Sequence, residues 1–358
     1  MARLALIFGG RSAEHEISLA SARFVAEMLA DGPDEVVPVG IARDGRWLLP
    51  DDPEAALRDG LETVPAQAVH LVVDPAAPAL ACADGRRIPV DFAFPVLHGP
   101  FGEDGTIQGL LELAGLAYAG AGVAASAVGM DKELMKAVFA AHRLPQVDHL
   151  VLRGAAATAP GAVAAAEERL GYPMFVKPAN LGSSVGMTKA HDRDELEAAL
   201  ALAAAYDRKV VLEAACDARE LECAVLGNDE PRASVVGEVV PANEFYDYEA
   251  KYTPGKMAFV IPADVPPEVA AAAADLALRA YRALDCCGYA RCDLFYERGS
   301  GRLLVNEINT IPGMTAMSGF PRLWAASGVD GRELVRTIVA LGRERHAARA
   351  RLRVVREE

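Results

Sequence analysis

Lysine is the scarce cation of this chain. Only seven of its 36 basic residues are lysines, at 132, 136, 177, 189, 209, 251 and 256, and the other 29 are arginines. An ammonium is a compact point charge suited to single phosphate oxygens, whereas a guanidinium is a planar fork. Every lysine falls in the middle of the chain, so a phosphate ligand is to be sought there. Basic charge as a whole is also short: 36 Lys and Arg against 50 Asp and Glu leave a formal net charge of −14. That balance argues against nucleic acid or an anionic membrane as the main partner, because both require a basic surface. A local anion pocket remains open.

Other absences narrow the class further. No G-x-x-x-x-G-K-[ST] occurs, so there is no P-loop, and no G-x-G-x-x-G follows the first strand, which removes the best support for a dinucleotide oxidoreductase. No H-E-x-x-H or paired-histidine spacing supports zinc. Six cysteines, at 82, 216, 223, 286, 287 and 292, show neither a C-x-x-C pair nor disulfide-like spacing. The first apolar run, residues 4–8, is too short for a signal-peptide core of roughly 7–15 residues. No uncharged apolar stretch approaches the roughly 18 residues of a membrane span. A reducing cytoplasm is the expected setting. With 52% hydrophobic and 24% charged residues over 358 positions, the chain can fill two or three domains of roughly 100–200 residues each.

The pattern along the chain is α/β. A continuous apolar strand at 4–8 runs into Gly9 and Gly10, and an amphipathic helix carrying Ile17, Ala20, Phe24 and Met28 follows. Further strands are expected at 36–41 and 92–97, with a helix at 107–113. This rhythm predicts a Rossmann-like parallel sheet with helices on both faces and ligands at the strand ends, 9–16 and 98–105. A second unit begins near Ser126. Asp131 is expected to cap a helix reaching His142, strand 174–177 meets the loop 178–186, and strand 210–213 leads into a third unit. There, strands are expected at 221–226, 234–240, 289–297 and 303–309, with a helix at 266–284. The domains so defined are 1–125, 126–213 and 214–358.

Four segments carry chemistry. In Arg291-Cys-Asp293 and Glu307-Ile-Asn309, alternate side chains share one face of a strand, and Arg298-Gly-Ser-Gly-Arg302 closes the two strands into a hairpin. Asp293, Glu307 and Asn309 thereby converge as oxygen ligands beside the Arg291 guanidinium. Few hard donors with open positions suit Mg²⁺, which normally takes one or two carboxylates plus substrate phosphates. An exposed hairpin with ordinary polar residues has the same spacing. The second segment, Lys177-Pro-Ala-Asn-Leu-Gly-Ser183-Ser184-Val-Gly, is a glycine-rich loop that can place backbone N–H groups around phosphate oxygens, or a flexible connection. The third, Phe245-Tyr-Asp-Tyr-Glu-Ala-Lys251-Tyr252, can fold over a small polar substrate or form an aromatic surface loop. The fourth, Ser12-Ala-Glu-His-Glu16, puts Glu16 one turn inside the first helix, in reach of an ammonium or simply favoured by the helix dipole. His98-Gly-Pro-Phe-Gly-Glu-Asp-Gly is equally open, since His98 fits a satisfied core histidine.

Together these segments resemble the D-alanine–D-alanine ligases of the ATP-grasp superfamily. The resemblance runs from Phe8-Gly-Gly-Arg-Ser-Ala-Glu-His-Glu-Ile-Ser-Leu, through His98-Gly-Pro-Phe-Gly-Glu-Asp-Gly, Val176-Lys-Pro and Gly182-Ser-Ser-Val-Gly-Met, to Asn306-Glu-Ile-Asn-Thr-Ile-Pro-Gly-Met-Thr. It implies a three-domain ATP-grasp architecture, a homodimer, ATP with two Mg²⁺ ions (or Mn²⁺), and cytoplasmic synthesis of the peptidoglycan precursor dipeptide from D-alanine. By the same resemblance Asp293, Glu307 and Asn309 hold the metals, Lys132, Lys177 and Lys251 meet the phosphates, and Ser183 and Ser184 belong to the lid over them. Glu213 meets adenine and Glu220 the ribose. Glu16 binds the ammonium of the first D-alanine and joins Ser183 and Tyr252 in a hydrogen-bonded chain. His98 positions that substrate, Arg291 and the Gly313 N–H face the oxyanion, and Ser318 binds the second carboxylate. Gly319 stands where many relatives carry a larger residue. A ligase taking D-lactate or D-serine as acceptor, and a nucleotide-binding relative without catalysis, are the alternatives.

Overall fold

The computed structural model describes residues 1–241 and 257–353. Three sheets follow one another along the chain. The first has eight strands in the spatial order Arg87–Pro89, Ala79–Cys82, Ala66–Val72, Trp47–Pro50, Glu35–Ile41, Arg3–Gly9, Phe92–Pro95 and Ala117–Tyr118. Its last four strands are parallel, as continuous apolar runs such as Leu4–Phe8, at 1% exposure or less, require for burial on both faces. The other four extend it antiparallel, so the sheet is mixed rather than wholly parallel. Three of these added strands have only three or four residues, too few for a periodicity to read, and the fourth, Ala66–Val72, buries only Val69 and Leu71.

The second sheet is antiparallel, in the order Thr188–Ala190, Met174–Pro178, Lys209–Ala214 and His149–Arg153. Helices Pro160–Leu170 and Arg193–Tyr206 back it through a core that includes Val176, Leu196, Leu200, Val210 and Leu212. The third sheet is also antiparallel, in the order Met257–Val260, Arg232–Pro241, Ala218–Leu226, Tyr289–Glu297 and Leu303–Asn309. Helix Pro267–Ala283 covers one of its faces; helix Gly319–Ala326 packs on part of the other, which also carries Glu222, Arg291 and Asp293.

The chain ends return to its beginning. Phe320, Leu323, Trp324, Leu334 and Ile338, from helices Gly319–Ala326 and Gly331–Ala350, share one core with Leu4, Leu6 and Phe8. The loop just before those helices, residues 310–318, is therefore held against the carboxyl ends of the first sheet's strands. Among the described residues, no helix is long and apolar enough to cross a membrane.

Candidate active site

A cavity of about 670 Å³ opens between the second and third sheets, lined by Lys132, Lys177, Ser183, Glu213, Glu220 and Glu307 among others. Its inner end is a buried carboxylate held by two lysines. Glu213 Oε1 lies 2.7 Å from Lys136 Nζ, and Glu213 Oε2 accepts from Lys177 Nζ at 2.5 Å. Burial alone would raise the Glu213 pKa, but the two ammonium groups outweigh it and hold the carboxyl far below the usual range. Burial likewise disfavours the Lys177 ammonium. Glu213 overcomes this, with Glu307 and Glu220 adding, so Lys177 stays charged with a raised pKa. Lys177 and Lys189 also lie 5.6 and 5.9 Å from the centre of the Phe175 ring.

Lys136 was not singled out in the sequence, although its spacing carried the signal. Helix Lys132–Ala141 is capped by Asp131, which accepts from the N–H groups of Glu133 and Leu134, and positions 132 and 136 lie on one helix face. Lys132 instead donates to the carbonyl of Leu181 at 2.7 Å, tying the glycine-rich loop down. Within that loop Ser183 and Ser184 have φ of 49° and 60°, left-handed values that are uncommon outside glycine.

The hairpin forms the cavity's other wall. Asp293 and Glu307 are directly paired across the strands, and Arg291 pairs with Asn309. Arg291 donates to both oxygens of Asp293, at 2.6 Å each, and Asn309 Nδ2 donates to Asp293 Oδ2 at 3.0 Å. The register shifts at Asn306, so Val305 stands opposite Leu294 and joins it and Ile308 in the core. Among the described residues, no group of three His, Cys, Asp or Glu is arranged to hold a metal. Two carboxylates and a carboxamide fit Mg²⁺ nonetheless, because that ion completes its octahedron with phosphate oxygens and water.

A second centre lies at the strand ends of the first sheet. His98 is buried, which lowers its pKa despite the nearby Glu14 carboxylate and its bond to Ile311. Its Nδ1 bonds the Ile311 carbonyl at 3.0 Å, and its Nε2 meets Ser21 Oγ at 3.1 Å, which in turn accepts the Met314 N–H at 3.2 Å. A neutral ring with its proton on Nδ1 satisfies all three. Glu103 accepts the N–H groups of Gly99 at 2.7 Å and Ile311 at 3.4 Å. Burial, with the Glu14 carboxylate adding, pushes its pKa up to about 8. Loop 310–318 is thus fastened to the first sheet from both sides of Gly313. Ser318 Oγ bonds Thr315 at its N–H (3.1 Å) and Oγ1 (2.8 Å), and a Cβ on Gly313 would stand 3.0 Å from it.

One expected residue is misplaced. Glu16 does not approach Ser183: its side chain is 68% exposed and pairs with Arg43 at 2.5 Å. The residue that reaches Ser183 is Glu14, whose Oε1 accepts the Ser183 hydroxyl. The helix begins at His15, so Glu16 is its second residue rather than one turn inside. Residues two apart lie on different sides of a helix, and Glu14 takes the inward direction beside Gly99 and Gly182. Lys251 and Tyr252 lie outside the described residues.

The sequence as a whole matches the family models described as D-ala D-ala ligase N-terminus, over residues 3–121, and D-ala D-ala ligase C-terminus, over residues 138–340. The chain belongs to the D-alanine–D-alanine ligase family. Among relatives named D-alanine--D-alanine ligase, that of Deinococcus radiodurans is 49% identical, covering 96% of this chain and 98% of its own. That of Heliobacterium modesticaldum is 47% identical, covering 97% and 96%. The solved D-alanine-D-alanine ligase of Coxiella burnetii superposes with a TM-score of 0.85 at 34% identity, covering 98% of this chain and 97% of its own. VanG D-Ala:D-Ser ligase of Enterococcus faecalis gives 0.87 at 34% identity, covering 95% and 99%. The ATP-grasp architecture is that of this ligase family.

Proposed function

We propose that the cavity and the second centre together carry out the family's reaction, the ATP-dependent joining of two D-alanines through a D-alanyl phosphate. The observation that carries this reading is the meeting of the lysine-lined cavity with Arg291, Asp293 and the 310–318 loop at one hairpin. A carboxylate is a poor electrophile. Its oxygen therefore attacks the γ-phosphorus of ATP, ADP leaves, and the resulting acyl phosphate is open to the amine of the second D-alanine. Collapse of the tetrahedral adduct breaks the C–O bond and releases phosphate carrying the original carboxylate oxygen.

Two anions meet in the first step, so cations are needed. Lys132 and Lys177 bind the nucleotide's phosphates, Glu213 and Glu220 its adenosine, and Ser183 and Ser184 cover it. Asp293, Glu307 and Asn309 would hold two Mg²⁺ ions, or Mn²⁺, which when bound neutralise phosphate charge. Glu14 takes the ammonium of the first D-alanine, and His98 orients that substrate as a neutral ring. Arg291 and the Gly313 N–H face the developing oxyanion, and Ser318 the second carboxylate. Closure of the Ser183 loop onto Glu14 excludes water, against which an acyl phosphate does not last. The units 1–125, 126–213 and 214–358, a homodimer and a cytoplasmic role in peptidoglycan precursor synthesis complete the reading.

The structural likeness to a D-Ala:D-Ser ligase makes acceptor choice the point to test. Phosphate release from Mg-ATP is followed with D-alanine alone, then with D-serine or D-lactate added, and products are weighed by mass spectrometry. Release with D-alanine alone, with the dipeptide mass, is expected. Release only with a mixed acceptor assigns the chain to the alternative ligases, and ATP binding without release to a non-catalytic relative.

A further inference from the structure

Arg291 touches two carboxylates, and only one of them belongs to the proposed metal site. The second is Glu222. It lies in the strand Ala218–Leu226, in register with Asp293 on one neighbouring strand and with Gly237 on the other. It is 5% exposed, and its Oε1 stands 3.3 Å from Arg291 Nε.

Its other oxygen meets the start of helix Gly319–Ala326. A Cβ on Gly319 would collide with Glu222 Oε2 and come within 3.0 Å of Phe259 Cζ. Gly319 does not have a left-handed φ, so space and not backbone geometry requires glycine there. A carboxylate beneath the first turn of a helix is favoured by the helix dipole, and the guanidinium supplies its counter-charge.

We infer that Glu222 is a positioning residue that aims Arg291, and that position 319 is glycine to admit the Glu222 carboxylate. The inference rests on the ligase reading above. Asp293 has two demands on it: it holds the Arg291 fork at 2.6 Å, and it is a proposed metal ligand. A carboxylate shared with a divalent cation has fewer lone pairs left for a guanidinium. Glu222 lies outside the metal pair, so its charge stays beside the guanidinium, 3.3 Å from Nε, when a metal draws on Asp293, and it can take the Nε–H that Asp293 then releases.

The test is a double-mutant cycle on the full-length protein, reading phosphate release with Mg-ATP and D-alanine. Glu222→Gln lowers kcat about tenfold, within what one oxyanion donor supplies, while the KM for ATP moves less than about twofold. Gly319→Ala lowers kcat to a similar extent by displacing the carboxylate. In a Glu222→Ala background, Gly319→Ala adds less than about twofold, because the group it displaces is gone. Unchanged kcat in Glu222→Gln, or single effects that multiply fully in the double variant, overturns the inference. Crystal structures of wild type and Glu222→Gln supply a readout independent of turnover. The Arg291 guanidinium should keep its direction in the first and turn in the second, and the same direction in both contradicts the proposal. Inactive wild-type protein would defeat the ligase reading, while the crystal structures would still decide the role of Glu222.

Discussion

Glu14 and Ser183 are 169 positions apart in the chain and joined by a hydrogen bond from the serine hydroxyl to the carboxylate. Through this contact the glycine-rich loop that lines the cavity reaches the strand ends of the first sheet. Ser183 and Ser184 keep left-handed backbones there; such conformations cost about 1–3 kcal/mol each and persist only where their surroundings hold them. The contact also distinguishes two glutamates that look alike in sequence. Glu14→Ala is expected to lower kcat/KM for D-alanine about a hundredfold, the loss of a charged hydrogen bond and a substrate contact. Glu16→Ala removes only an exposed pair and should leave kcat/KM within about twofold. Steady-state kinetics of both variants separate them, and the reverse order would refute the Glu14 assignment.

Glu103 makes stability depend on pH in a definite direction. Burial, helped by Glu14, holds its folded pKa at about 8, above its ordinary value. The folded state therefore binds more protons than the unfolded state between about pH 5 and 8, and stability from this group falls as pH rises through that window. Glu103→Gln cannot ionise. Its Tm relative to wild type should rise steadily from about pH 5 to 8, as calorimetry at several pH values would show; a constant difference contradicts the shift.

The Lys136–Glu213–Lys177 cluster works in the opposite sense. The Glu213 pKa is depressed below its ordinary value, burial notwithstanding, by the two lysines, so its contribution is present at neutral pH and lost as pH falls below the ordinary carboxylate value. Lys136→Met strands part of a buried carboxylate and should cost about 3–5 kcal/mol in urea denaturation at pH 7. A loss below about 1 kcal/mol would mean the pair is solvated.

Glu307→Gln tests the hairpin as a metal site. The substitution preserves shape while removing charge from the residue paired with Asp293. Phosphate release should fall on the order of 10³-fold, with the Tm of the metal-free protein within a few degrees of wild type. Near-normal turnover would remove Glu307 from the metal site.

Much of this fold is legible in the sequence. The hairpin strands Tyr289–Glu297 and Leu303–Asn309 follow from apolar alternation and the glycine turn between them. The Asp131 cap follows from residue chemistry, and the parallel strands from continuous apolar runs. The four antiparallel strands of the first sheet are not legible: three have only three or four residues, too few to show a period, and Ala66–Val72 buries only Val69 and Leu71. The shift at Asn306 escaped for a related reason: a period of two cannot announce an extra residue. Glu14 and Glu16 flank the first residue of a helix, and a two-residue error in its start reverses which one points inward. Glu103 and Glu222 become visible only when the fold brings distant partners to them, whereas Lys136 is announced by its four-residue spacing from Lys132 on one helix.

The most direct test of the account supplies D-alanine labelled with ¹⁸O in its carboxylate, with Mg-ATP, and analyses both products by mass spectrometry. Activation through a D-alanyl phosphate yields D-alanyl-D-alanine together with phosphate that carries one labelled oxygen, transferred when the tetrahedral adduct collapses. Dipeptide formed alongside unlabelled phosphate would contradict activation through an acyl phosphate, and labelled D-alanine returned unchanged would contradict the ligase itself.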